Sequence, residues 1–174
     1  MSDALAPPHR VEPLKDAHDR SAFRCGVAEL DRYFLYRAGQ EARRKAAAPF
    51  VMVNRDGAIV GYYTLSAYGV YLRELPEAIA KKFPKYPLLP ATLLGRLAIG
   101  SEYRGQKLGR LLLMDALRRS WKNTAEVASI GMVAEAIDES AQSFYRRHEF
   151  QPLLDHPNKL FLSMRTIEQA FRER

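Results

Sequence analysis

Only one cysteine, Cys25, stands in the 174 residues. A lone cysteine excludes an internal disulfide and a cysteine-built metal cluster. It also sets the chain apart from small secreted disulfide scaffolds. No apolar run approaches the ~20 residues of a membrane-spanning helix. The opening MSDALAPPHR has no basic flank followed by an apolar core, so no secretory signal is expected there. Neither nucleotide fingerprint, G-x-G-x-x-G or G-x-x-x-x-G-K-[ST], occurs. Internal repeats and low-complexity tracts are missing too. The expectation is a cytoplasmic, globular chain that holds no metal.

What is present suits a single domain over residues 1–174, since 47% of the residues are hydrophobic and 27% charged. Acidic residues are in deficit: 27 Lys and Arg face 20 Asp and Glu, a net charge of +7. That favours an anionic partner, and nucleotide, RNA and acidic protein all qualify. Residues 1–20 read as a loose start with a short strand near Val11–Leu14. RCGVAELDRYFLYRAGQEARRKAA reads as one helix with Leu30, Tyr33, Phe34 and Ala38 on a common face. Tyr33, Phe34 and Tyr36 are expected in the core. Two strands flank the Asn54–Arg55–Asp56–Gly57 turn. Pro76 opens a short helix, Glu77 to Phe83, and PKYPLLP is a proline-rich connection. ATLLGRLAI is nearly continuous in apolar residues and reads as a central strand. A helix from about Leu108 to Trp121, a strand in VASIGMVAEA, a helix in ESAQSFYRRHEF and a final strand in KLFLSMRTI complete the order. Strands and helices alternate, so the class is α/β on a mixed central sheet flanked by helices.

Between the central strand and the next helix lies YRGQKLGRLLL. Glycine lets the backbone take a positive φ and lets a ligand approach closely. The first turn of a helix presents unpaired N–H groups and a partial positive charge. Together they form a cradle suited to phosphate. Arg104-Gly105-Gln106-Lys107-Leu108-Gly109 resembles the R/Q-x-x-G-x-G/A acetyl-coenzyme A loop of the GNAT acyltransferases, with Lys107 where that family usually has its first glycine. The order of elements resembles the GNAT fold over nearly the whole chain. ESAQSFYRRHEF resembles the family's A-x-x-F-Y-x-x-x-G-F, through Ala141, Phe144, Tyr145 and Phe150, with Glu149 replacing the glycine. The resemblance implies that Arg104 to Gly109 and Arg110 hold acetyl-CoA, together with Leu97, Ala98 and Ile99 of the central strand and Ser140 and Phe144. It implies that Tyr145 is the general acid for the departing thiolate. No base is singled out among Asp31, Glu41, Glu102, Glu135 and His148. Cys25 reads as a small buried residue.

The first third, with Phe23, Cys25, Gly26, Leu30, Asp31, Gly61, Tyr62, Tyr63, Leu65 and Ser66, resembles the toxin branch of the GNAT family. That resemblance implies an acetyl-CoA-dependent N-acetyltransferase toxin that acetylates the α-amine of aminoacyl-tRNA and blocks translation. It also implies a homodimer and a ribbon-helix-helix antitoxin encoded adjacently. An RNA acceptor should meet basic residues. Arg37, Arg43, Arg44 and Lys45 at one helix end, Arg96 beside the central strand, and Arg146 and Arg147 after Tyr145 are the candidates. The helix-end cluster would equally receive an acidic antitoxin tail. An enzyme acting on a small-molecule or protein amine, and a GNAT-fold binding module without turnover, stay open as alternatives.

Overall fold

The structure is a computed structural model that describes residues 8–173. Residues 1–7, part of the stretch where no secretory signal is expected, lie outside the described residues. The elements are β1 (His9–Pro13), α1 (Ala28–Tyr36), α2 (Ala38–Arg43), β2 (Ala48–Asn54), β3 (Ile59–Tyr71), α3 (Glu77–Ala80), β4 (Leu88–Ile99), α4 (Leu108–Asn123), β5 (Gly131–Glu135), α5 (Glu139–Arg147), β6 (Gln151–Leu153), β7 (His156–Ser163) and α6 (Met164–Arg172). Seven strands form one sheet in the order β1-β2-β3-β4-β5-β7-β6. β1 and β2 pair antiparallel, β4 and β5 parallel, and β7 pairs antiparallel with β5 and β6. The mixed α/β sheet matches the sequence reading.

The chain divides into two compact units. One takes in the chain up to Thr64 together with Leu97–Leu113, the other Leu65–Arg96 and Met114–Arg174. In the first, Phe23, Tyr33, Phe34, Val51, Val53, Tyr62 and Ala98 share one buried cluster. Phe34 stacks on Tyr62 at 4.2 Å between ring centroids, and the Tyr62 hydroxyl donates to the Leu30 carbonyl at 2.7 Å. The buried phenol thus keeps a partner for its polar end, as burial demands. In the second unit Val70, Leu75, Leu89, Val133, Leu153 and Phe161 form the core.

Several expectations change, among them the short helix, which ends at Ala80 and not at Phe83, and the added strand β6. The long basic helix is two helices, because the backbone at Arg37 (φ −116°, ψ −34°) departs from ideal helix and caps both. Tyr36, at the end of α1, is 66% exposed rather than in the core. The proline-rich connection ends early, since Leu88–Pro90 already belongs to β4. The last strand stops at Ser163, whose hydroxyl accepts from the Thr166 N–H at 3.2 Å and caps α6.

Candidate functional site

The first unit carries the turn that leads into α4. Backbone bonds fix its entry: Gly100 N–H donates to the Val60 carbonyl, and Ser101 N–H to that of Arg24, both at 2.8 Å. A 3-10 turn over Ser101–Tyr103 follows. Gly105 then takes φ +80°, and a Cβ there would meet nothing within 4 Å, so glycine serves conformation and not space. Lys107 takes φ 59°, the conformation expected of the glycine it replaces. Its carbonyl accepts from Leu111 N–H at 3.5 Å, the start of the α4 ladder. The N–H groups of Leu108, Gly109 and Arg110 fall in the first turn, where a helix offers no internal acceptor. Leu108 is buried and anchors the helix start, while Gln106, Lys107 and Arg110 are exposed. This donor set suits a pyrophosphate: fixed backbone N–H groups, a helix N-terminus and one ammonium.

The Arg104 side chain is turned toward the Cys25 loop, where its guanidinium donates to the Cys25 carbonyl. Cys25 N–H in turn donates to Asp31 Oδ1 at 2.8 Å. A Cβ on Gly26 would lie 3.1 Å from Arg104 Nη2, so a side chain there would press on the guanidinium. The F-x-C-G-x-x-x-L-D segment is therefore a bracket for the turn. Burial pushes the Cys25 thiol up to about 11, which keeps it protonated and inert at neutral pH.

The second unit carries Tyr145 on α5. Asp138 caps the helix start, its carboxylate accepting from Ala141 N–H at 2.8 Å. At the other end, Phe150 N–H donates to the Tyr145 carbonyl and Glu149 N–H to that of Arg146, both at 3.1 Å. Those two bonds define a Schellman motif, which calls for a left-handed residue after the cap and an apolar contact across it. Glu149 supplies the first with φ 70°. Phe150 supplies the second, its ring 5.3 Å from that of Tyr145. The spacing between Tyr145 and Phe150 thus follows from how the helix ends. Tyr145 is 3% exposed, and burial pushes its phenol above the ordinary value of 10. Such a group holds its proton firmly. Phe144 is half-buried beside it at 5.3 Å, edge to face, and Ser140, Arg146 and Arg147 are exposed.

β4 pairs with β5 from Thr92↔Met132 to Leu94↔Ala134 and continues beyond that register to Ile99. Leu97 and Ile99 are half-buried and Ala98 is buried, while Arg96 is half-buried. Arg37 lies at the α1–α2 junction and Arg43, Arg44 and Lys45 at the end of α2, all exposed.

Most of the candidate bases are engaged. Asp31 holds Cys25 N–H, Glu41 accepts from the Tyr33 hydroxyl at 2.5 Å, and His148 Nδ1 donates to the Phe144 carbonyl at 2.8 Å. Glu135 ends β5 opposite Lys159. Lys159 donates to the Tyr68 hydroxyl at 3.0 Å, and chiefly this bond raises its pKa. Sequence reading missed this Lys159–Tyr68 pair, since the two positions are far apart and neither belongs to a motif.

Residues 46–152 match the acetyltransferase (GNAT) domain. The chain is 28% identical to a probable toxin TacT of Sinorhizobium fredii over 96% of this chain and 97% of that protein. It is 30% identical to a tRNA-acetylating toxin of Mycobacterium tuberculosis over 87% of this chain and 90% of that one. Among solved structures, a tyrosine-to-phenylalanine mutant of KacT superposes with a TM-score of 0.89 at 31% identity, covering 95% of this chain and all of that one. AtaT complexed with acetyl-methionyl-tRNAfMet gives 0.86 at 30% identity over 94% and 99%. A tyrosine-to-phenylalanine mutant of AtaT, bound to the C-terminus of the antitoxin AtaR and acetyl-CoA, gives 0.81 at 26% identity over 95% and 99%.

Proposed function

This chain belongs to the GNAT acetyltransferase family, and from that premise we propose that it is an acetyl-CoA-dependent N-acetyltransferase toxin acting on the α-amine of aminoacyl-tRNA. We read residues 1–174 as a single acetyltransferase domain. The observation that carries the chemistry is Tyr145, buried at the Schellman ending of its own helix and protonated at neutral pH. The similarity to a tRNA-acetylating toxin over most of both chains carries the substrate.

Acetyl-CoA supplies the acetyl group as a thioester. The N–H groups of Leu108, Gly109 and Arg110 and the Lys107 ammonium bind its pyrophosphate, with Gly105 and Gln106 shaping the turn. Arg104 holds that turn in place through Cys25. The backbone of Leu97, Ala98 and Ile99, beyond the register with β5, takes the extended arm, and Ser140 and Phe144 are further cofactor residues. The neutral α-amine attacks the thioester carbonyl, the C–S bond breaks as Tyr145 delivers its Oη proton to the departing sulfur, and the proton shed by the new amide nitrogen restores the phenol. The α-amine of an aminoacyl ester is less basic than a lysine amine, so more of it is neutral at pH 7 and a strong enzymic base is unnecessary. Arg37, Arg43, Arg44, Lys45, Arg96, Arg146 and Arg147 meet RNA phosphates.

The partner is an antitoxin, as for AtaT with AtaR. We take it to be of ribbon-helix-helix type, encoded adjacently, with the toxin a homodimer. Among the described residues no helix is long and apolar enough to cross a membrane. A substrate of charged tRNA puts the work in the cytoplasm. Incubation with labelled acetyl-CoA and bulk charged tRNA tests the reading. Label on the aminoacyl ends is expected. Label on free amines or protein alone would overturn the tRNA assignment.

A further inference from the structure

The first unit contains a cavity of about 390 Å³ lined in part by Lys15, Asp16, Arg20, Gly39, Arg43 and Lys45. Four of these side chains are cationic and one is anionic. Two of the cations converge on a single backbone carbon. A Cβ on Gly39 would lie 3.2 Å from Nη2 of Arg20 and 3.4 Å from Nη1 of Arg43. Gly39 sits inside α2, where alanine is the better helix former. A methyl there would press on both guanidinium groups by a few tenths of an ångström.

Like charges held together repel unless an anion joins them. Among the described residues nothing does so fully. Arg20 is fixed through its neutral contacts: Nη1 donates to the Phe34 carbonyl at 2.7 Å, and its guanidinium carbon lies 5.9 Å from the Phe34 ring centroid. Arg43 lies 3.8 Å from Asp16, whose side chain is 97% exposed, and such a pair is weak in water. Lys45 adds a further sign. It follows the cap of α2 in a Schellman ending, with Lys45 N–H on the Ala42 carbonyl at 3.2 Å and Ala46 N–H on that of Glu41 at 2.9 Å. The position takes φ 61°, where glycine is the unstrained choice. Lys45 thus brings a cation to the rim on a backbone fixed by the helix ending.

We infer that this cavity is a phosphate-binding subsite that takes a backbone phosphate of the RNA acceptor, clamped between Arg20 and Arg43, with Lys15 and Lys45 at its rim. The inference rests on the charged-tRNA reading above. A phosphodiester offers two non-bridging oxygens to two separate guanidinium groups. Arg37 and Arg44, on the same α2 segment, continue the cationic row, which suits a polymer of spaced phosphates over a lone carboxylate.

Binding of bulk tRNA at two salt concentrations is the test, with the rise in Tm caused by acetyl-CoA as the control for folding. Arg43→Gln should weaken tRNA binding about three- to tenfold and reduce the log–log salt slope by about 0.7–0.9, one phosphate contact. Gly39→Ala keeps every charge and favours the helix, yet should weaken binding by up to about threefold by pressing the guanidinium groups outward. Wild-type affinity and slope in both variants would overturn the subsite while wild-type tRNA binding left the broader reading standing. A wild-type protein that neither binds nor acetylates charged tRNA would overturn that reading itself. If both variants bind tRNA normally but lose an acidic antitoxin peptide, the cavity belongs to a protein partner and the inference is wrong.

Discussion

The turn before α4 and the turn after α5 solve one backbone problem with different results. Each needs a left-handed residue, and each uses a charged one, Lys107 at φ 59° and Glu149 at φ 70°. A side chain in that conformation costs roughly 1–2 kcal/mol. Lys107 stands at the start of a helix, and under the proposed reading its charge adds to the phosphate cradle and function offsets strain. Glu149 stands just past the end of α5, where the helix carries partial negative charge. A carboxylate there adds repulsion to strain, and nothing in the structure explains it. The comparison teaches that one backbone conformation holds in both turns, while the proposed reading gives the identity of the residue a function in only one of them.

The strongest way to break this comparison is at the cradle. Gly109→Glu puts a side chain and a negative charge in the first turn of α4. It should weaken acetyl-CoA binding more than about 100-fold and abolish the rise in Tm that a native-state ligand gives. Lys107→Gly sharpens the contrast. It should weaken acetyl-CoA about tenfold by calorimetry, the scale of one charge-assisted contact, while raising the Tm of the ligand-free protein. Glu149→Gly should raise Tm by about 2–6 °C with kcat and KM unchanged. If Lys107→Gly keeps full cofactor affinity, the two turns are equivalent and the distinction fails.

The smallest effect concerns the bracket under the cradle. The folded-state pKa of Cys25 is raised from 9.0 to about 11. Its stabilising contribution is fully present below about pH 9 and is lost as pH rises through about 11. Cys25→Ala should therefore make the fall in Tm between pH 9 and 11 shallower by about 2–4 °C. Tyr145, whose pKa is also raised, contributes at the upper end of that range and keeps the slope from vanishing.

Local signals made much of this legible in the sequence. The Asn54–Gly57 turn marked the β2–β3 hairpin, whose Asn54 N–H and Gly57 N–H bonds are present as expected. The YRGQKLG stretch marked the start of α4, and the tyrosine segment marked α5. Arg37 carried no such mark, since neither glycine nor proline stands at the break between α1 and α2. α6 was hidden because the apolar run Leu160–Met164 passes through Ser163 without a change of period, although the serine–threonine spacing was readable as a cap. Side-chain convergence was least legible. Lys15 and Arg20 meet Arg43 only through folding, and Arg104 reaches Cys25 across 79 positions.

The central claim is that Tyr145 serves as general acid in acetyl transfer to charged tRNA. Its most direct test compares Tyr145→Phe with wild type in two assays, acetyl-CoA affinity by calorimetry and turnover on charged tRNA. The account predicts an affinity within about twofold of wild type and a kcat lowered roughly 10²–10⁴-fold. Wild-type turnover in the variant would contradict it and leave Tyr145 as a packing residue at the end of α5.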